Sequence, residues 1–401
     1  MRKYHFVSIL IILSVIKIFP VQGQNQYAGD IRPAAENIWV YLPFIGDKPF
    51  AMVANHTSKI GDTHLVDTMV NMNYNLKKIF SPEHGFRGKA DAGAYLYNSK
   101  DTVTGLPVIS LYGDNRKPKP RQLEDVEIVV FDIQDVGARF YTYLSTLTLV
   151  MEACAENNTT LLILDRPNPN GFYVDGPMLK PGNESFVGMH PVPVVHGMTA
   201  VEYANMVNSE GWINGECDLI WMLADNYTHD KFYKLPVKPS PNLPDMASVY
   251  LYPSLCLFEG TTVSVGRGTE HPFSVYGHPD LDYGNYTFIP KPGEGSENPK
   301  LKGKVCRGEN LISYGRNFQN KPHQINLEWL ISAYHSLKDE GKFFNAYFDK
   351  LAGSSRLREQ IEAGLNAKQI RELWEDDLKE FRKLRKNYLL YPESGENDNK
   401  Q

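Results

Sequence analysis

The run Ile128-Val129-Val130-Phe131-Asp132-Ile133-Gln134-Asp135-Val136-Gly137-Ala138-Arg139-Phe140-Tyr141 passes in one step from a continuous apolar segment to a loop of acids, amide, glycine and arginine. A short unbroken apolar run suits a strand buried on both faces, the condition of a parallel sheet. The residues that follow, 143–156, space their apolar side chains as a helix does. The same unit recurs outward in both directions. Apolar runs at 51–54, 78–80, 108–111, 161–164 and 219–222 alternate with further helical patterns at 64–72 and 200–209. The pattern predicts an α/β fold: a Rossmann-like, mostly parallel sheet with helices on both faces, and a smaller α+β domain after it. No GxGxxG opens a helix, so no dinucleotide is inferred.

At each strand end the composition changes abruptly. Asn55-His56-Thr57-Ser58 follows the first run, Ser81-Pro82-Glu83-His84-Gly85-Phe86-Arg87-Gly88 the second, and Asp165-Arg166-Pro167-Asn168-Pro169-Asn170-Gly171 the fifth. In a parallel sheet these loops share one edge and converge. The expected result is a polar pocket with aromatic edges, drawing on Asn55, His84, Arg87, Arg139, Tyr141, Asp165, Arg166 and Asn170. Such a lining suits a sugar better than a lipid or a flat protein partner. A second cluster comprises Lys238-Pro239-Ser240-Pro241-Asn242-Leu243-Pro244, then Phe258-Glu259-Gly260-Thr261, then Gly266-Arg267-Gly268-Thr269-Glu270-His271-Pro272-Phe273. The proline run marks a domain boundary. The glycines beside Arg267 allow close backbone approach to a ligand, or serve a tight hairpin.

Arg2, Lys3 and His5 precede an apolar stretch at 6–19 that ends in Val21-Gln22-Gly23, the pattern of a secretory signal. The stretch is short for a membrane span. The expected organisation is a signal peptide at 1–23, a Rossmann-like domain at 24–238, a C-terminal α+β domain at 239–392 and a disordered tail at 393–401. About 380 mature residues exceed what one core usually supports, which also argues for two domains. Removing Arg2, Lys3 and Lys17 takes the formal net charge from −5 to −8, against a basic nucleic-acid surface. The expectation is an exported, periplasmic or extracellular monomer without stable membrane insertion. Cys154, Cys217, Cys256 and Cys306 show no metal spacing and read as buried small residues, although export permits disulfides.

The EHGFRG loop, the FDIQDVGARFYTY stretch, LDRPNPNG, the PSPNLP linker and LYPSLCLFEGTTVSVGRGTEHPF, taken in order, resemble the NamZ family of exo-β-N-acetylmuramidases, described earlier as a domain of unknown function. The resemblance covers most of the mature chain. It implies a two-domain enzyme that removes N-acetylmuramic acid from the non-reducing end of peptidoglycan fragments, with no metal, nucleotide or other cofactor.

The residues fit that chemistry. Glycosidic cleavage takes one carboxylic acid to protonate the leaving oxygen and a second carboxylate as nucleophile or base. Glu83 is the expected acid, on a shaped loop beside an imidazole and Phe86, where partial burial would raise its pKa. Asp135, Glu270, Asp132 and Asp165 all stand as candidates for the second. The lactyl carboxylate of muramic acid calls for an arginine, from Arg87, Arg139, Arg166 or Arg267. Each also has a plainer structural role open to it: Glu83 could pair with Arg87, Asp132 could brace backbone, Asp165-Arg166 could form an internal ion pair, and Tyr141 and Tyr143 could belong to the core. His56, His84 and His271 match no zinc motif. Two rival functions are an exported sugar-binding protein without catalysis, and an esterase or amidase, the latter lacking a GxSxG elbow.

Overall fold

Strands with apolar residues at every position need cover on both faces, and the chain supplies it. A computed structural model of the protein describes residues 30–83, 85–87 and 99–393; the expected leader, nearly all of the tail, and His84 lie outside them. In chain order the strands are β1 (Phe50–Ala54), β2 (Lys59–Ile60), β3 (Thr63–His64), β4 (Leu76–Ser81), β5 (Ser99–Lys100), β6 (Pro107–Ser110), β7 (Ile128–Asp132), β8 (Thr160–Leu164), β9 (Leu219–Met222), β10 (Val275–His278), β11 (Tyr286–Phe288) and β12 (Cys306–Asn310). The helices are α1 (Ile38–Ile45), α2 (Leu65–Asn71), α3 (Pro120–Leu123), α4 (Tyr143–Asn157), α5 (Ala200–Ser209), α6 (Met246–Leu255), α7 (Ile312–Arg316), α8 (Glu328–Leu337), α9 (Ala346–Ala352), α10 (Arg356–Glu362) and α11 (Ala367–Lys386).

Seven strands form one sheet in the order β5-β6-β4-β1-β7-β8-β9, parallel throughout except for the edge strand β5. Leaving out β5, this is the doubly wound order, with the chain building outward from β1 through β4 and β6 and then returning to β7 on the other side. The six apolar runs of the sequence are its six parallel strands. Side chains alternate between two cores with the period of the pleat. Ala51, Val53, Val129 and Phe131 face α4, α5 and the C-terminal region, while Phe50, Met52, Ile128 and Val130 face α1 and α2.

The C-terminal region holds a small antiparallel sheet, β10-β12-β11, and a set of helices. Its last helix, α11, buries Ile370, Trp374, Leu378, Phe381 and Arg385 along one stripe. Arg371 and Asp377 on that helix bind Asp175 at 2.6 Å and Lys180 at 2.5 Å, and Arg385 donates to the Gly197 carbonyl at 2.6 Å. The helix therefore clamps the C-terminal region to the sheet domain. Helix α9 begins only at Ala346, because Phe343 and Phe344 pair with Thr262 and Thr261 and the Asn345 side chain caps the Tyr347 N–H at 2.8 Å. All four cysteines are buried and free.

Candidate active site

The reversal of strand order puts the ends of β1, β4 and β7 side by side, where doubly wound sheets form a crevice. The loops after β1 and β7 are laced together. Asn55 Oδ1 accepts from the Thr57 N–H at 2.9 Å and hydroxyl at 2.6 Å, Thr57 Oγ1 accepts from the Gln134 N–H at 3.0 Å, and the Ser58 hydroxyl donates to the Asp132 carbonyl. β4 runs straight into Glu83, whose carboxylate lies 3.5 Å from the Thr142 hydroxyl just ahead of α4. Tyr143 opens that helix with its ring edge-on to Tyr141, 4.9 Å between centroids. Burial, then the nearby Glu83 charge, lift the Tyr143 hydroxyl well above the ordinary phenol range.

The C-terminal region closes the other side. Glu259 sits in a 3₁₀ turn, Cys256–Gly260. Gly260 is required there, since a Cβ would lie 2.4 Å from the Phe348 Cα. The Lys300 ammonium donates to four carbonyls around the turn: Phe258 at 3.0 Å, Glu259 at 3.3 Å, Thr261 at 2.7 Å and Val263 at 3.1 Å. Arg267 Nε donates to the Glu259 carboxylate at 3.1 Å and its guanidinium lies 4.8 Å from the Phe273 ring centre. The glycine beside it, Gly268, has φ +76° and room only for hydrogen, because a Cβ would lie 2.2 Å from the Lys291 carbonyl. Its close approach is to protein backbone. Burial of the Tyr347 hydroxyl, then the adjacent Cys256, Glu259 and Glu83, raise it above the phenol range. Tyr347 shares the lining of one recess with Glu83 from the sheet side and Glu259 from the C-terminal region. The recess between them encloses about 140 Å³, and Glu83, Tyr143, Tyr252, Glu259, Arg267 and Tyr347 line it.

Of the residues singled out from sequence, Glu83, Tyr141 and Arg267 line this recess. Tyr141 does so with its ring, while its hydroxyl donates to the Pro239 carbonyl at 2.7 Å. Asn55 and Asp135 are not part of the lining. Asp135 Oδ2 accepts the Gly137 N–H at 2.6 Å, and Oδ1 has no hydrogen-bond partner among the described residues. Burial pushes this carboxyl up to about 7 against the pull of the Gly137 and Val136 N–H groups.

The other candidates are engaged elsewhere. Asp132 binds Arg166 through both oxygens, at 2.6 and 3.0 Å, so the partner of Arg166 is Asp132 and not Asp165. Asp165 instead accepts from the Tyr391 hydroxyl at 2.7 Å and the Val201 N–H at 3.2 Å. Arg139 donates to the carbonyls of Pro177, Val192 and Leu351 at 2.7–2.8 Å. Arg87 is forked between Asp67 and Asp101, with bonds of 2.8–3.2 Å, and so is not the partner of Glu83. Asn170 Nδ2 donates to the Val136 carbonyl at 2.8 Å, His56 bonds the Lys238 carbonyl at 2.9 Å, and Glu270 with His271 lines a neighbouring groove.

Glu259, quoted in the second cluster but not named as a candidate acid, and Tyr347 also line the recess. Glu259 had a signal, as the one charged residue in the apolar stretch 246–260. Tyr347 had none, being one tyrosine on a short helix.

The comparisons with known proteins point to one family. Residues 50–247 match the family "Exo-beta-N-acetylmuramidase NamZ, N-terminal", and residues 250–391 match its C-terminal counterpart. The peptidoglycan beta-N-acetylmuramidase NamZ of Bacillus subtilis (strain 168) is 39% identical over 338 residues, covering 80% of this chain and 81% of that protein. A crystal structure of a DUF1343 family protein from Bacteroides fragilis NCTC 9343 superposes with a TM-score of 0.83 at 45% identity, covering 91% of this chain and 100% of the other. A second DUF1343 structure from the same organism gives 0.75 at 26% identity, covering 90% and 99%. With both domains matched in order and the doubly wound sheet in place, this chain belongs to the NamZ family of exo-β-N-acetylmuramidases.

Proposed function

We propose that the protein is an exo-acting glycoside hydrolase that releases N-acetylmuramic acid from the non-reducing end of peptidoglycan fragments. The observation that carries this reading is the meeting of Glu83 and Glu259, supplied by different domains, in one recess with Arg267 and Tyr347. Glu83 protonates the leaving oxygen and Glu259 is the second carboxylate, as nucleophile or base. Arg267 is the arginine left for the lactyl carboxylate. Arg87, Arg139 and Arg166 are taken up by protein partners, whereas Arg267 bonds Glu259 through Nε and keeps its terminal fork for a second anion. The esterase or amidase alternative lacks an activated nucleophile at Ser81, whose hydroxyl is buried with no hydrogen-bond partner among the described residues. The leader pattern supports work outside the cytoplasm, in wall turnover or salvage. Protein recovered from fractionated cells is expected to start near Gln24.

The direct test is chromophore release from para-nitrophenyl β-N-acetylmuramide beside the matching N-acetylglucosaminide. The muramide alone is expected to be cleaved, and Glu83→Gln is expected to lower kcat by about 10²–10⁴. No turnover of the muramide by the unaltered protein would overturn the reading.

A further inference from the structure

A second groove lies across the wall of the recess. Arg267 and Phe273 face the recess, their chain neighbours Gly268 and Pro272 face the groove, and Asn242 lines both. The wall is thus one layer of backbone thick. Its two loops are fastened on the groove side, where the Lys291 N–H donates to the Gly268 carbonyl at 2.9 Å and Asn242 Nδ2 donates to the Gly295 carbonyl at 2.8 Å. The groove encloses about 730 Å³ against about 140 Å³ in the recess, within the ~300–1,000 Å³ typical of ligand sites. The groove is the larger of the two spaces and has room for more than one ring.

The lining has a particular chemistry. Tyr286 is half-buried, with Phe288 beside it at 6.1 Å between centroids and 29° between planes. Thr269, Glu270, His271 and Lys291 surround this aromatic surface with donors and acceptors. A pyranose offers the complement: an apolar face for a ring, and hydroxyl and amide groups around its rim. Charges of both signs, Glu270 and Glu294 with Lys291, favour a neutral ligand over a strongly ionic one.

We infer that this groove binds the neutral N-acetylglucosamine unit next to the scissile bond, the first unit of the part that departs when the terminal muramic acid is cut. The inference rests on the muramidase reading above. It assigns Tyr286 and Lys291 to recognition of the leaving portion, apart from the acids that break the bond.

The test compares the unaltered protein with Tyr286→Ala and Lys291→Ala in two measurements. The first is calorimetric titration with chitobiose. The second is hydrolysis of para-nitrophenyl β-N-acetylmuramide against a muramic-acid-ended wall tetrasaccharide. Tyr286→Ala is expected to weaken chitobiose binding about tenfold, ~1.4 kcal/mol, and to raise the tetrasaccharide KM by a similar factor while leaving the nitrophenyl substrate within about twofold. Lys291→Ala, an exposed position, is expected to show the same selectivity at smaller size and supplies the answer should Tyr286→Ala misfold. Unchanged chitobiose affinity in both variants, or equal losses on both substrates, would overturn the inference. Should the unaltered protein cleave neither substrate, the muramidase reading fails, and the titration alone decides the groove: binding that Tyr286→Ala loses supports it, and no binding sinks it.

Discussion

The two halves of the recess use charge differently. On the sheet side, the polar residues at the strand ends mostly hold protein to protein: Asp132 to Arg166, Arg139 to three carbonyls, Asp165 to Tyr391 and a helix N–H. On the C-terminal side a few groups, Glu259, Arg267 and Tyr347, are held by backbone contacts around them and left facing the cavity. A doubly wound edge needs its buried carbonyls and N–H groups satisfied before it can present a single reactive acid. The facing domain, built on a turn and a helix start, meets a lighter demand. Charge at a strand end is therefore weaker evidence of chemistry than charge isolated in an apolar turn.

The sharpest way to break this contrast is Arg166→Met. It strands the fully buried Asp132 without a partner, and loss of one member of a buried pair costs about 3–5 kcal/mol. Thermal or denaturant melting is expected to fall by that amount. An unchanged melting curve would show that the sheet-side pairs are not structural.

Glu259→Gln is the mirror experiment. The turn that carries it is fixed by Lys300 through backbone carbonyls, which the substitution does not touch. Turnover of the muramide is expected to drop by about 10²–10⁴, with melting within about 1 kcal/mol, because its pair with Arg267 is partly exposed. A large loss of stability with turnover intact would reverse the roles assigned to the two halves.

These outcomes bear on what was legible beforehand. The central strands β1, β7 and β8 were readable because strands buried on both faces are unbroken apolar runs, and the edge strand β9 carries the same run although Trp221 is exposed. The order of the sheet follows from connection rules once the strands are known. Helix α6 was not readable: it is buried on nearly every side and carries Pro253, so it has no polar face and a residue that usually marks a break. Glu83 and Arg267 were legible as titratable residues in glycine-bracketed loops. Arg139 and Arg166 carried the same local signature, yet their partners lie 34 or more residues away in sequence. A local pattern cannot distinguish a guanidinium that waits for substrate from one that binds a distant carbonyl.

Asp135 gives a smaller, pH-dependent contrast. Burial holds its carboxyl near 7 in the folded protein, against about 3.9 when unfolded. The folded state thus favours the protonated acid, so the stability it contributes is full below about pH 4 and is lost as pH rises through 7. Between pH 5 and 7 the unaltered protein is expected to lose about 2 kcal/mol more than Asp135→Asn, since each unit of proton difference is worth ~1.36 kcal/mol per pH unit. Asp165, raised in the same direction, is common to both proteins and cancels. Parallel stability profiles would mean that Asp135 ionises freely.

Arg267→Lys tests the most delicate part of the comparison. Lysine keeps the positive charge near Glu259 but loses the planar fork, so it can meet one carboxylate and not grip a second in the same geometry. The lactyl group is what separates muramic acid from glucosamine, and the penalty belongs in KM for the muramide, about tenfold, or ~1.4 kcal/mol. Melting should barely move, because the bond to Glu259 is half of a partly exposed pair. The same change at Arg139 should do the reverse. That guanidinium reaches three separate carbonyls that one ammonium cannot span alike, so stability falls and KM stays. If Arg139→Lys altered KM while Arg267→Lys altered only melting, the substrate-facing arginine would belong to the sheet side, and the contrast between the two halves would have to be drawn the other way round.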